Sequence, residues 1–187
     1  SGAGIAWDYF FGFRKRPKLI DLIEDRDLWK WDIEGSREVL LVLDSVEKTF
    51  EEWDSFNSEI SHENSSLNPN LGYEKMKSIG GNIMDYQNSV VARIISNKSV
   101  IRLNGIEAIV INSPVFQSEI GSTLVEFGEA EIVAIYYEKK GKLHFSIRSK
   151  KGGVDVSEIA RYFGGGGHQA AAGFLVNSLE ELRGCCL

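Results

Sequence analysis

Four consecutive glycines run straight into a histidine at Gly164, Gly165, Gly166, Gly167 and His168, and Gln169 and the alanines Ala170, Ala171 and Ala172 follow. Glycines carry no Cβ, so their backbone N–H groups can converge on an anion at short range. A helix opening at Gly167 would add its positive end, and His168 there could donate to a phosphate oxygen or approach a scissile bond. The small alanines would let that helix lie close against a strand or a bound base. A tight turn with a helix cap also uses glycine, but it does not need four in a row. Upstream, FSIRSKKGG sets Arg148, Lys150 and Lys151 just before a loop. Strand alternation sends Phe145 and Ile147 to one face and Ser146 and Arg148 to the other. The planar fork of Arg148 suits bidentate phosphate contact, although a solvated strand end reads equally well from these residues alone. Lys139, Lys140 and Lys142 at a hairpin tip read as solubilising charge.

A second pair of acids sits in EDRDLW, at Asp25 and Asp27. Two carboxylates near a helix end could serve a hard metal ion or remain exposed charge. At i and i+2 on a helix they point to different sides, which favours the second reading. His62 falls in a polar segment and His144 in a strand, with no HxH or HxxxH spacing anywhere. The chain shows no dinuclear metal motif, nucleophile elbow or P-loop lysine.

The elements that must position these groups follow from periodicity and turn signals. Residues 4–11 and 17–31 read as helices, with Pro17 at a helix start and Leu19, Ile20, Ile23, Asp27 and Trp31 on one face. Residues 37–46, whose branched run also allows a strand, and 47–56 are further helix candidates, 62–70 a polar loop or linker, and 72–98 one long helix in which Gly80-Gly81 marks a bend or a close packing. After residue 98 the texture changes. Two strands flank Asn104-Gly105, 114–127 is helical, and strands at 131–138 and 142–149 flank Lys140-Gly141. A helix at 154–163, a short helix over Gly167 to Ala172, a strand GFLV and a last helix SLEELR complete the chain. The expectation is an α+β fold: a helical N-terminal connector, then a small mixed-sheet domain flanked by helices.

Composition limits the function classes. With 187 residues, 43% hydrophobic and 26% charged, the chain is long enough to bury a core and is not of disordered type. A net charge of −6 argues against a broad nucleic-acid-coating surface but leaves room for a local phosphate site. Cys185 and Cys186, adjacent at the very end, are poor material for a disulfide or metal site, and no signal or membrane segment is visible. A cytoplasmic protein with no membrane partner is expected. SGAGIAWDYFFG has no initiator methionine and packs Ile5, Trp7, Tyr9, Phe10 and Phe11 together, which suggests the C-terminal part of a longer protein. The same surface is suited to pairing two copies in a homodimer.

GGGGHQAAAGF, together with SIRSKKGGVDVSEIARYF, resembles the C-terminal substrate-binding domain associated with the DHH phosphoesterases. That superfamily includes RecJ-like exonucleases, nanoRNases, cyclic-dinucleotide phosphodiesterases and exopolyphosphatases, and a related domain ends alanyl-tRNA synthetases. SGAGIAWDYFFG and LIEDRDLWKW resemble the end of the catalytic domain and the start of the connector, and NSPVFQSEIGSTL the segment before the third strand of the C-terminal domain. The resemblance implies a division into a catalytic remnant and connector start (1–60), a linker and long helix (61–98) and a substrate-binding domain (99–187). It implies that Gly164, Gly165, Gly166, Gly167 and His168 bind a phosphate or terminal nucleotide, with Arg148 on the facing strand and Ser118 lining the same pocket. Asp27 resembles the last metal-ligand aspartate of the catalytic domain, with Asp25 as the neighbour open to confusion with it.

Hydrolysis in the family depends on two manganese ions held by Asp-His-Asp and Asp-His-His motifs, and this sequence contains neither. The first expectation is therefore the substrate-holding half of a metal-dependent phosphodiesterase acting on short oligonucleotides, dinucleotides or related phosphorylated small molecules, and inactive alone. A stand-alone nucleic-acid-binding module ranks second, and a purely structural glycine run third.

Overall fold

The computed structural model describes residues 1–12, 14–61, 70–103 and 105–183. The expected loop at 62–69, with His62, the turn residue Asn104, and Cys185 and Cys186 lie outside them. The chain divides into two compact units, Ser1–Asn88 and Ser89–Leu187.

The N-terminal unit is helical: α1 (Gly2–Phe11), α2 (Lys18–Asp27), α3 (Ser36–Ser45), α4 (Phe50–Ser61) and the greater part of α5 (Leu71–Ile95). Leu22, Val39, Leu40, Leu43, Phe56, Ile60 and Tyr73 form its core. Two expectations need correction. Helix α2 stops at Asp27, not at residue 31, because Trp29 and Trp31 take left-handed backbone angles with φ of 53° and 57°. Its buried face is accordingly Leu19, Leu22 and Asp25. The Asp25 carboxylate accepts the N–H groups of Asp32 at 2.8 Å and Ile33 at 3.4 Å, and the Ser36 hydroxyl at 2.7 Å. This acid ties down the chain reversal between α2 and α3. The second correction is α4, which begins at Phe50 and runs to Ser61 instead of covering 47–56.

The glycine pair in α5 marks close packing. A Cβ on Gly80 would stand 1.8 Å from the backbone oxygen of Glu38, so α5 crosses α3 almost backbone to backbone there. Along α1, Ile5, Tyr9 and Phe10 are exposed, while Trp7 stacks on Phe11 with ring centroids 4.3 Å apart.

The C-terminal unit is built on β1 (Ser99–Leu103), β2 (Ile106–Asn112), α6 (Gln117–Glu126), β3 (Ile132–Lys139), β4 (Lys142–Ser149), α7 (Val156–Tyr162), β5 (Gly166–His168), β6 (Ala171–Val176) and α8 (Glu180–Arg183). The strands form one sheet in the order β1-β2-β3-β4-β6-β5. Only the β2–β3 pairing is parallel, so the sheet is mixed and the fold is α+β. One face buries Ile132, Ala134, Phe145, Ile147, Ala172 and Phe174 against Val156, Ile159 and Ala160 of α7. Phe163, Phe174, Phe145 and Tyr136 stack in a row across this face, at centroid separations of 4.5, 4.9 and 5.2 Å. The other face buries Ile109, Ile111, Val133 and Ile135 against Ile120 and Leu124 of α6 and Val91 from the end of α5.

No helix opens at Gly167. Residues 166–176 form a β-hairpin with its turn at Gln169 and Ala170. Three alanines favour a helix, but each adjoining glycine costs about 1 kcal/mol in one, and the alternation of buried Ala172, Phe174 and Val176 favours a strand. The turn is held from outside: the Gln169 carbonyl accepts from Val156 N–H at 2.9 Å, and the Ala170 carbonyl from Ser149 N–H at 3.1 Å.

Candidate anion-binding groove

Helix α6 packs against β3 and the Arg148 end of β4, and the face continues beyond it across β6 and β5. Strand register then decides which side chains share that face. Arg148 on β4 lies opposite Ala171 on β6, and Ala171 lies opposite His168 on β5. The next row along is Ser146, Gly173 and Gly166, and the row after that is Tyr137, His144 and Leu175. Rows two residues apart are separated by about 7 Å. Arg148 and His168 therefore flank one end of a trough whose middle carries nothing larger than a hydroxyl.

Arg148 is half-buried, and its Nη1 donates to the carbonyl of Ile147 at 3.5 Å. Burial pulls its pKa below the ordinary guanidinium value, and the charge of Glu119 partly offsets this. Among the described residues no carboxylate forms a salt bridge with it, and Glu119 acts on it only through its field. Its stem lies over α6, where a Cβ on Gly121 would come within 2.8 Å of the Arg148 Cγ. Gly121 thus permits the close approach of helix and arginine.

The glycine run does several separate jobs. Gly164, at φ +75°, ends α7, and the N–H groups of Gly164 and Gly165 return to the carbonyls of Arg161 and Ala160 at 2.9 and 2.8 Å. A Cβ on Gly165 would meet the Gly173 oxygen at 2.1 Å, and one on Gly167, at φ +150°, the Ala171 oxygen at 2.5 Å. Packing therefore demands both. Gly166 differs: a Cβ there would meet nothing within 4 Å, and its φ is not in the left-handed region. It faces the trough, on the outermost strand of the sheet. His168 is exposed on the same strand.

The dipole that the sequence seemed to place at Gly167 belongs elsewhere. Helix α6 opens on Gln117 and Ser118 after Phe116, which is left-handed at φ 56° and gives no side-chain cap. Its first N–H groups carry partial positive charge. Ser118 is half-buried in this first turn, one residue from Gln117.

A cavity of about 410 Å³ reaches the trough at Gln117, Tyr137, His144, Ser146 and Gly173 and also takes in Phe145, Phe163 and Phe174 of the other face. Arg148 and His168 stand one row beyond it. Gln117, Tyr137, His144 and Ser146 were not picked out from the sequence, although His144 shares its alternation phase with Arg148. Lys150 borders a different cavity, with Glu107 and Glu131.

Nothing comparable surrounds the acids of α2. Asp27 is exposed at the helix end, and Asp25 is 4% exposed with its oxygens already engaged. Among the described residues no group of three or more His, Cys, Asp or Glu side chains could hold a metal ion. The residues present do not make a manganese site by themselves. No described helix is long and apolar enough to cross a membrane.

Residues 117–184 match the DHHA1 domain, a stretch that holds α6, Arg148 and the whole glycine run. An uncharacterized protein of Acanthamoeba polyphaga mimivirus is 32% identical over 192 residues, which take in 99% of this chain and 42% of that protein. A bifunctional oligoribonuclease and PAP phosphatase of Mycoplasma pneumoniae is 28% identical over 75 residues, 36% of this chain and 23% of that enzyme. The chain spans less than half the length of either relative. A pGpG-specific phosphodiesterase of Vibrio cholerae shares the fold at a TM-score of 0.51 and 12% identity, over 97% of this chain and 69% of that one.

Proposed function

We propose that this chain holds the substrate of a metal-dependent phosphodiesterase, a reading supported by the match of residues 117–184 to the DHHA1 domain, which the DHH superfamily carries at its C-terminal end. The substrate is a short phosphorylated nucleotide or a related small phosphate compound. One observation supports the reading: the half-buried Arg148, in no salt bridge among the described residues, lies in one row with His168, beside a Gly166 that the fold does not require. A phosphate there would receive the Arg148 fork and a His168 N–H, and Gly166 would let it approach the strand backbone. Gln117 and Ser118, at the uncapped start of α6, add positive potential on the opposite wall.

Manganese, where the superfamily uses it, would supply an activated water and neutralise charge developing on phosphorus. This chain offers Asp27 as one exposed carboxylate toward such a centre, and the remaining ligands must come from other motifs. The work assigned to this chain is to bind the phosphate, orient it and keep it desolvated.

Titration of a 5′-phosphorylated dinucleotide into the chain tests the reading. Saturable binding is expected, weakened about ten- to a hundredfold by Arg148→Ala, the range for a charge-assisted hydrogen bond, and less by His168→Ala. No saturable binding by the unmodified chain, or binding indifferent to both substitutions, would refute it.

A further inference from the structure

Beyond the phosphate row, the same face carries an aromatic pair that the phosphate reading leaves unused. Tyr137 on β3 lies directly opposite His144 on β4, and their rings stack at 5.0 Å with 23° between the planes. Both are half-buried and both border the 410 Å³ cavity. Leu175, 46% exposed, lies opposite His144 on the other side and widens the apolar floor. The aromatics of the opposite sheet face, Tyr136, Phe145, Phe174 and Phe163, stack on one another beside the core under α7. Tyr137 and His144 lie on the other face, half-buried beside Gln117 at the start of α6.

We infer that Tyr137 and His144 form a ledge on which a nucleobase of the substrate stacks, so that the groove takes a short oligonucleotide and discriminates against bare polyphosphate. The inference rests on the phosphate reading above and narrows it. His144 is four residues from Arg148 along β4, about 13 Å. A lone phosphate seated at Arg148 would not reach the ledge. A chain of two nucleotides, its terminal phosphate beside Arg148, would lay a base in the cavity with only Ser146 and Gly173 beneath the linking sugar and phosphate. Stacking suits such a site because every base presents a flat π-face, whereas a polyphosphate presents none. The middle row offers one hydroxyl and bare backbone, at Ser146, Gly173 and Gly166, which a ribose can cross without displacing a side chain.

The test uses the full chain with two probes, 5′-phosphorylated diadenylate and inorganic tripolyphosphate, and the variants Tyr137→Ala, Tyr137→Phe, His144→Ala and Arg148→Ala. Tyr137→Ala and His144→Ala should each weaken the dinucleotide about tenfold and leave tripolyphosphate within twofold, whereas Tyr137→Phe should keep wild-type affinity for both. A dinucleotide carrying 2-aminopurine should lose fluorescence on binding to the unmodified chain, and should recover it in Tyr137→Ala under saturating conditions. Arg148→Ala should weaken both probes. Equal binding of both probes with no response to Tyr137→Ala would overturn the ledge and leave the phosphate site standing. Failure of the unmodified chain to bind either probe would overturn both.

Discussion

At the scale of single residues, the four glycines separate into those the fold needs and one it does not. Gly165 and Gly167 sit against the backbone of β6, so a methyl on either would press on atoms that cannot move aside. Gly165→Ala should therefore destabilise the C-terminal unit by about 1–3 kcal/mol, the usual cost of overpacking. Gly166→Ala places its methyl in open space at an ordinary φ, and its stability should lie within about 0.5 kcal/mol of the parent chain. The same methyl would stand in the trough where a phosphate approaches, so dinucleotide affinity should fall although the melting temperature does not. Thermal unfolding and binding measured on the two variants separate the roles. A Gly166→Ala chain that binds unchanged would mean that this glycine serves neither fold nor ligand.

At the scale of elements, local sequence signals predicted well wherever one periodicity dominated. The alternation of HFSIRS placed Arg148 and Ser146 on the face opposite Phe145 and Ile147, and β4 has that arrangement. The 167–172 segment read as a helix because alanine propensity was weighed without the strand phase of Phe174 and Val176, which sets the hairpin. Tyr137, His144 and Gln117 stayed hidden because only the β3-β4-β6 register and the seat of α6 bring them together, and no local pattern encodes either. Asp25 was read as a candidate metal neighbour, yet it organises an element boundary. Burial would raise its pKa, but the bonds from Ser36, Asp32 and Ile33 outweigh it and hold the carboxyl below the ordinary value of 3.8. A depressed folded-state pKa contributes stability that is fully present above the unfolded value and is lost as pH falls through the folded one. Asp25→Ala should thus cost about 1–3 kcal/mol at pH 7, where the donors of the α2–α3 reversal lose their acceptor. Chemical denaturation at pH 7 and at pH 2.5 should show the gap between variant and parent narrowing in acid. A gap of the same size at both would rule out the charged carboxylate as the stabilising form.

At the scale of the whole molecule, charge separates the enzyme-half reading from that of a general nucleic-acid-binding module. The chain carries 27 acidic against 21 basic side chains, so a polyanion approaching from a distance meets net repulsion. In the groove Arg148 is a half-buried cation, and the start of α6 adds a partial charge. Binding through so few phosphate contacts releases few counterions. With one or two contacts to a single strand, affinity should fall only about three- to sevenfold between 50 and 200 mM salt. A protein that coats nucleic acid through six to ten contacts would lose about a thousandfold or more over the same range. Lengthening the ligand sharpens the distinction, because the row beyond the groove's three adds the exposed pair Lys139 and Lys142, far short of the six to ten contacts of a coating surface. A 5′-phosphorylated dinucleotide and a twelve-nucleotide strand should therefore bind with nearly the same affinity and the same shallow salt slope. Affinity that climbs with strand length, together with a slope that steepens in proportion, would mean that the binding surface extends well beyond the groove, and the stand-alone module would then be the better description of this chain.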